Sequence, residues 1–496
     1  MVIEYAYQAE VVGYCALSAV RTWGVGGRRG YLAVQYSLRT SRIIVWFFVS
    51  ASRGGAFLFY QEAIEYIKNI ERAGSDYGLE RMRELLSLLG NPDDKLKFVH
   101  VAGTNGKGSV TAYLTSALKE AGYKVGTYNS PSVFCYNERW LINGKPLCDD
   151  DVAKYMTMVK ECIESERALR KAFGLSDFNP TAFEIETAVA MLAFYDKECD
   201  VCVLEVGLGG RWDATNAISQ KELAVITPIG LDHCAILGNT LSQIASEKAA
   251  IIKDDCVTCE QSDDVMNEIY HPYVFDENGK KIDIKSNVIL CKRARLLQEN
   301  SDGQTFEYGG KTYRISMLGA HQLVNASIAI CALETLRKKH FDISDEAIAK
   351  GLEKTVWHAR FEVVKNAKEK FNVSIPQDKV LVFDGAHNPH GAVTLANSVC
   401  DYFKDKRVHL VFGMLKDKDV EGVCALICPL AKRVSCVTPT SPRALDKSDL
   451  KKVASKYCEK CDEQESVKSA VQNALDGDCD VVVLCGSLTL FADMEK

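Results

Sequence analysis

The chain has 496 residues, enough for two or three domains with sizeable buried cores, so it is not a peptide-sized module. Lysine and arginine number 60 against 66 for aspartate and glutamate, with no dense basic stripe, which points to small-molecule partners rather than nucleic acid. The 19 cysteines are an odd number scattered through apolar stretches, the pattern of reduced thiols in a cytoplasmic protein rather than of a disulfide framework.

Residues 1 to 55 differ in composition from the rest of the chain. Between Val11 and Gln61 there are six arginines, no lysine and no acidic residue, a composition loosely like that of an organelle transit peptide. Ile43 to Val49 is apolar but far shorter than the ~20 residues a membrane span needs. This extension is expected to be poorly ordered and separate from the functional body. From about Tyr60 onward strands alternate with amphipathic helices, which predicts an α/β fold with a mostly parallel sheet and ligands at the strand C-termini.

Phe98 to Val101 reads as a short buried strand, and Val110, Tyr113, Leu114, Ala117, Leu118 and Ala121 recur at helical spacing until Gly122. Between them lies Gly103-Thr-Asn-Gly-Lys-Gly-Ser109, with the composition of a loop that folds its backbone around phosphates. Its glycines let N–H groups approach phosphate oxygens, the helix N-terminus favours negative charge, Lys107 adds a cation, and Thr104 or Ser109 can reach a magnesium ion. The strict G-x-x-x-x-G-K-[ST] pattern is not met, since Val101 stands at the first glycine position and Gly108 separates Lys107 from Ser109. A plain glycine turn is the simpler alternative.

Three further strands end in polar or glycine-rich residues: Lys124 to Tyr128 before Ser130, Asp200 to Val206 before Gly207-Leu-Gly-Gly210, and Leu223 to Thr227 before Asp232-His233. Their ends should gather at one site. Glu205 interrupts an apolar strand and needs a partner. With Ser130 and His233 it can supply oxygen and nitrogen ligands for magnesium, although each residue alone more often has a structural hydrogen-bonding role. Thr240 and Gln243 have capping-box spacing, so a helix should begin near Leu241. Leu241, Ile244, Ala245 and Lys248 then share its apolar stripe. Lys248 is either a snorkelling lysine or a buried active-site amine. The C-x-x-C pairs at Cys199/Cys202, Cys256/Cys259 and Cys458/Cys461 are too far apart to favour a shared zinc site.

Residues 254 to 316 read as short strands and turns, and a boundary is expected near Leu318. The helix from Gln322 to Lys338 and the strands Val380 to Phe383, Val408 to Phe412, Arg433 to Val437 and Val481 to Cys485 then form a second, smaller α/β domain. The division is thus 1–55, 56–318 and 319–496. Asp384, His387 and Asn388 cap a strand of the second domain, and Asn325 and Arg360 complete the polar candidates between domains.

Together these segments resemble the folylpolyglutamate synthase and dihydrofolate synthase family, the folate branch of the Mur ligases. The resemblance rests on Tyr77-Gly-Leu-Glu-Arg81, Gly103 to Ser109, Ser130-Pro131, Leu204 to Asn216, Leu231-Asp-His233 through Glu247-Lys248, and Asp384-Gly-Ala-His-Asn-Pro389. It implies a P-loop ATPase-like N-terminal domain, a Rossmann-like C-terminal domain, and ATP-dependent ligation of L-glutamate to a reduced folate or dihydropteroate through an acyl phosphate. It assigns ATP to Thr104, Asn105, Gly106, Lys107, Gly108, Ser109, Asn325, Arg360 and Asp384. Ser130, Glu205 and His233 match ligands of one Mg2+ ion, and Lys248 matches a carbamylated lysine supporting a second. Tyr77, Gly78, Leu79, Thr181, Phe183, Glu184, Trp212, Asp213 and Ala214 match the pterin pocket. Lys107, Lys248 and His387 are the catalytic candidates, with His387 a second-domain contact to the phosphates. Ala250 stands where the family usually has glycine. The whole reads as a cytoplasmic monomer without a membrane partner. Its alternatives are another Mur-type amide ligase with a different acceptor, or a nucleotide-binding protein without ligase activity.

Overall fold

A computed structural model describes residues 58–70, 78–276 and 278–495, and the backbone of a short antiparallel pair, Val25–Gly26 with Arg29–Gly30. Apart from that pair, the extension at 1–55 lies outside the described residues, as does Tyr77.

Eight strands make the larger sheet: β1 (Phe98–Ala102), β2 (Val125–Tyr128), β3 (Trp140–Ile142), β4 (Lys145–Pro146), β5 (Val201–Glu205), β6 (Leu223–Ile226), β7 (Asp255–Thr258) and β10 (Asn287–Leu290). Their spatial order is β10-β7-β6-β1-β5-β2-β3-β4, parallel except at the β2-β3 and β3-β4 pairs. The β6-β1-β5-β2 centre is wholly buried because helices cover both faces, which is why these strands read as near-continuous apolar runs. Their four C-terminal ends share one edge, as expected.

One face of the sheet is covered by α1 (Tyr60–Lys68), α2 (Glu80–Leu88), α4 (Asp149–Ala172) and α5 (Ala182–Asp196), whose Met82, Met156 and Ile185 join Phe98 and Leu204 in one core. The other face carries α3 (Lys107–Glu120). The short helix α6 (Cys234–Leu237) precedes α7 (Leu241–Ala249), whose Thr240 and Gln243 form the expected capping box. Next come α8 (Asp263–Tyr270), the hairpin β8 (Tyr273–Phe275) and β9 (Lys281–Asp283), and the antiparallel trio β11 (Arg295–Asn300), β12 (Gly303–Tyr308) and β13 (Lys311–Ile315).

The helix expected to open the second domain, α9 (Ala320–Lys339), belongs to the first core instead. Its Ile328, Ala332 and Leu336 pack with Val110, Tyr113 and Leu114 of α3, and α10 (Asp345–Lys354) follows it there through Ile348 and Leu352. By their packing, residues 320 to 352 thus go with the first sheet and the chain from Ala359 onward with the second, while Leu318 itself packs in the second sheet's core. Beyond it stands a six-stranded sheet of β14 (Glu362–Val363), β15 (Val380–Asp384), β16 (Val408–Phe412), β17 (Ala431–Cys436), β18 (Cys461–Glu463) and β19 (Val481–Cys485), ordered β14-β15-β19-β16-β17-β18 with only β14 antiparallel. Helix α11 (Ala367–Phe371) precedes β15 and helix α12 (Pro389–Tyr402) follows it, with Asn388 as the N-cap of α12 and proline at its first position. Every cysteine among the described residues is a free thiol, and no helix among them is long and apolar enough to cross a membrane.

Candidate functional site

The loop after β1 is built to be concave. Gly103 and Gly106 take φ of +147° and +88°, and Gly106 serves as the N-cap of α3. Thr104 and Asn105 donate their N–H groups to Pro228 O, Thr104 Oγ1 donates to Gly230 O at 3.0 Å, and Thr227 Oγ1 donates to Asn105 O at 2.7 Å, so the end of β6 holds the loop's outer side. Around it lie Asn325, whose amide stands where a Cβ on Gly106 would sit, and Trp357, whose indole nitrogen would lie 2.7 Å from a Cβ on Gly108. The Ser109 hydroxyl is buried and accepts from Gln322 Nε2 at 3.3 Å. Trp357 Nε1 and His321 Nδ1 are buried without a hydrogen-bond partner among the described residues, two polar atoms that await a ligand or water.

Lys107 opens α3 and points along the loop, donating to Thr104 O at 3.2 Å and standing 4.0 Å from Glu205 Oε1. Glu205 is only 6% exposed. Its second oxygen accepts Ser130 N–H at a long 3.4 Å, and burial raises its pKa, with Lys107 and Arg360 opposing. Lys248 is equally buried on α7. Its amine has no hydrogen-bond partner among the described residues, and burial with the nearby Lys107 charge presses its pKa down to about 7. That places a lysine within reach of its neutral form near neutral pH. His233 is exposed, 3.9 Å from Asp232, and feels the charges of Lys418, Lys107 and Lys248, which locates it beside the same centre. Glu205 and Ser130 are in contact. No group of three or more His, Cys, Asp or Glu side chains among the described residues is arranged to hold a metal. The expected set differs in kind, since it draws on a hydroxyl and a modified lysine, and those hard oxygen donors around a weakly paired buried carboxylate fit magnesium.

The second sheet presents its strand ends to this edge. Asn388 Nδ2 donates to Asp232 Oδ2 at 2.8 Å, and Lys418 lies 3.5 Å from Asp232 Oδ1. Despite burial, these partners and the neighbouring histidines hold the Asp232 carboxyl at about 2. His390, on α12, meets Asn105 of the loop. His387 is held by Gly385 O at 2.7 Å, and burial with the Lys418 charge presses its pKa to about 4, which favours the neutral imidazole. Asp384 accepts from Phe361 N and Ala386 N, each at 2.8 Å, and thereby shapes the Arg360 segment.

Beyond Glu205, the Gly207–Gly210 turn is held by Asp213, which accepts Gly207 N at 3.0 Å and Leu208 N at 2.9 Å through one oxygen. Phe183 packs against Gly207 and lies 5.8 Å from the Tyr128 ring, while the rings of Trp212 and Phe275 are nearly parallel, 7° apart with centroids separated by 6.4 Å, and both are exposed. Thr181 and Glu184 close a capping box on α5, and Glu184 also pairs with Arg81 at 2.7 Å.

The Mur ligase middle-domain family matches residues 101–333, and the Mur ligase glutamate ligase domain matches residues 359–488. Over 448 residues the chain is 35% identical to the dihydrofolate synthase/folylpolyglutamate synthase of Bacillus subtilis (strain 168), spanning 89% of this chain and 99% of that one. It belongs to the folylpolyglutamate synthase/dihydrofolate synthase family. The crystal structure of folylpolyglutamate synthase from Thermotoga maritima superposes with a TM-score of 0.71 at 32% identity, covering 87% of this chain and 95% of that chain. The bifunctional enzyme from Yersinia pestis, complexed with AMPPNP and a manganese ion, does so with a TM-score of 0.70 at 26% identity, covering 88% and 97%.

In this member of the folylpolyglutamate synthase/dihydrofolate synthase family, contacts bring Lys107, Glu205 and Ser130 together after the first sheet, and Asn388 and His390 reach Asp232 and Asn105 from the second. Thr181 and Glu184 are committed to a helix cap, leaving Phe183, Trp212 and Ala214 as the apolar side chains beside the Gly207 turn. Gly78 and Leu79 lead into α2, with Leu79 buried. Ala250 is buried with a right-handed φ of −63°, a conformation that requires no glycine. Sequence reasoning missed Gln322, Trp357, Lys418 and His390 as neighbours of the site. His390 directly follows the Asp384–Pro389 motif and could have been found from it, and Lys418 follows the Gly413 turn at the end of β16, which marks a strand end but not its partner.

Proposed function

We propose that the protein joins L-glutamate to a carboxylate of dihydropteroate or a reduced folate, with ATP as the phosphoryl donor. The observation that carries this reading is the concave loop with Lys107 facing the buried Glu205, at an edge where the second sheet brings Asn388, Lys418 and His390 across to it.

A carboxylate is a poor acyl donor. Transfer of the γ-phosphoryl group to it, with ADP leaving, gives an acyl phosphate. The amine of glutamate then attacks the carbonyl carbon, the bond to the phosphate oxygen breaks, and phosphate departs as the amine loses its proton. Catalysis of this kind is mainly positioning and charge neutralisation. The loop N–H groups and Lys107 would hold the β- and γ-phosphates, and Trp357 and Asn325 would cover the nucleotide. Closure of the second sheet's loops over the first would keep water from the acyl phosphate. Magnesium held near Ser130, Glu205 and His233, and a second ion beside a carbamylated Lys248, would supply neutralisation of phosphate charge. Phe183, Trp212 and Ala214 would face the pterin. The family's glutamate ligase domain at 359–488 supports glutamate as the added amino acid. The same reading places the protein in the cytoplasm, with support from the free thiols, and takes it to act as a monomer.

The test is turnover by the purified chain with ATP, magnesium, glutamate and either dihydropteroate or tetrahydrofolate, reading ADP release and product mass. Pterin-dependent ADP release with a mass gain of one glutamate is expected. Correctly folded protein that releases no ADP with either pterin sinks the proposal.

A further inference from the structure

A lysine away from the phosphate loop ties three parts of the site together. Lys221 precedes β6, and its amine meets His100 Nδ1 at 2.9 Å, Asn216 Oδ1 at 2.9 Å and Ile251 O at 2.7 Å. These groups belong to the strand that leads into the phosphate loop, to the turn after Trp212, and to the segment that follows Lys248. Asn216 donates its own amide N–H groups to Arg211 O and Ala250 O, so its oxygen must accept.

The direction of the remaining bonds is set at the far end. The Asp213 carboxylate takes two backbone N–H groups on Oδ2, and on Oδ1 it takes Thr215 N at 3.0 Å and Thr215 Oγ1 at 2.5 Å. A carboxylate only accepts, so the Thr215 hydroxyl donates to it and must itself accept from His100 Nε2, 2.8 Å away. His100 then carries its one proton on Nε2 and accepts on Nδ1. Its full burial and the charges of Lys221 and Lys253 keep the imidazole neutral, as this requires. Lys221 thus gives three protons to three acceptors, the count for an ammonium. Burial and the Lys253 charge press its pKa well below the usual value, while the geometry offers the three acceptors that a protonated amine requires.

We propose that Lys221 is a positioning residue for the pterin side of the site: by donating to His100 Nδ1 it locks, from its own end, the tautomer that the relay through His100 and Thr215 to Asp213 requires, and so holds Asp213 and, through it, the Gly207–Gly210 turn. The proposal rests on the reading of that turn, with Trp212 to Ala214, as the pterin side.

Histidine-selective 15N NMR of the full chain reads the relay, and binding of dihydropteroate to the ADP-loaded protein reads its effect. His100 should be the pure Nε2–H tautomer. Lys221→Met keeps the stem and removes the donors, so it should give a mixed or reversed tautomer and weaken dihydropteroate about tenfold, while ADP affinity stays within about twofold. Thr215→Val breaks the relay without touching Lys221 and should give the same pterin loss, with Thr215→Ser restoring it, so the question is decided even if Lys221→Met does not fold. An Nδ1–H tautomer in the parent protein, or folded Lys221→Met and Thr215→Val proteins with unchanged pterin affinity, overturns the proposal. If the parent chain binds no pterin, the pterin-side reading fails, and the tautomer still decides whether the relay exists.

Discussion

Lys248 and Glu205 are the two buried charges whose surroundings ask for something more than the protein supplies. An amine pressed to about 7 is partly neutral at physiological pH and can take up carbon dioxide as a carbamate, turning a cation into an anion beside the phosphate loop. Lys248→Ala is therefore expected to lose nearly all turnover and to recover part of it with added short-chain carboxylates, whereas Lys248→Arg recovers nothing. Full activity in Lys248→Arg would return the residue to a packing role. Glu205→Gln keeps the shape and removes the anion. Its turnover should fall by roughly a hundredfold or more, since a metal or phosphate site loses a charge that neutral amides do not replace. Its melting temperature should hold or rise, because a buried carboxylate with one distant lysine contributes little to folding. A parallel loss of both would mean that Glu205 is structural.

Among the elements, α12 joins the two halves of the site through its N-cap residue, beside the contact of His390 in its first turn with Asn105. Asn388 Oδ1 caps the helix by accepting Gly391 N at 2.7 Å, while its amide nitrogen donates to Asp232 across the junction. Asn388→Asp keeps the cap and places one carboxylate against another. It should leave the melting temperature nearly unchanged and reduce turnover at least tenfold, an effect eased by Asp232→Asn in the double variant. Strictly additive losses would disconnect the two residues. Much at this scale could be read from the residues themselves. The strands of both sheets and the α7 cap were legible because apolar runs bounded by turns, and a threonine three residues before a glutamine, each have a local cause. Helix α9 was legible as a helix but not as part of the first core. Its buried residues run unbroken from Asn325 to Leu333, so no single apolar face says which sheet it covers. The Lys418 pairing with Asp232 spans 186 residues of chain and leaves no local trace.

At the scale of the molecule, burial of neutral histidines makes acid a specific threat. His321, His387 and His409 are each pressed to about 4 from the ordinary 6.5. Below about 6.5 the unfolded chain binds protons that the native chain refuses, so the unfolded state gains and stability falls as pH drops, until the native imidazoles also titrate near 4. Each can withdraw up to about 3 kcal/mol across that window. The melting temperature should decline steadily between about pH 6.5 and about pH 4, well above the range in which Asp232 titrates. His409→Gln, remote from the site and hydrogen-bonded to Ser435, should make the decline shallower, and an unchanged slope would exclude His409 as a contributor.

The cover over the phosphate loop sets a clock. Trp357 and Asn325 lie against its glycines and His390 meets its tip, so a nucleotide held on this loop, as proposed, would enter only when this cover lifts, and spent ADP would leave by the same door. Each cycle would then set two large movements through solvent against two short chemical steps, phosphoryl transfer and amide formation. Departure, rather than bond making, becomes the slow event, and friction from the medium should be felt directly: kcat should fall nearly in proportion to added viscosity, with a burst of bound product in the first turnover. A kcat indifferent to glycerol and sucrose would place the slow event in the chemistry.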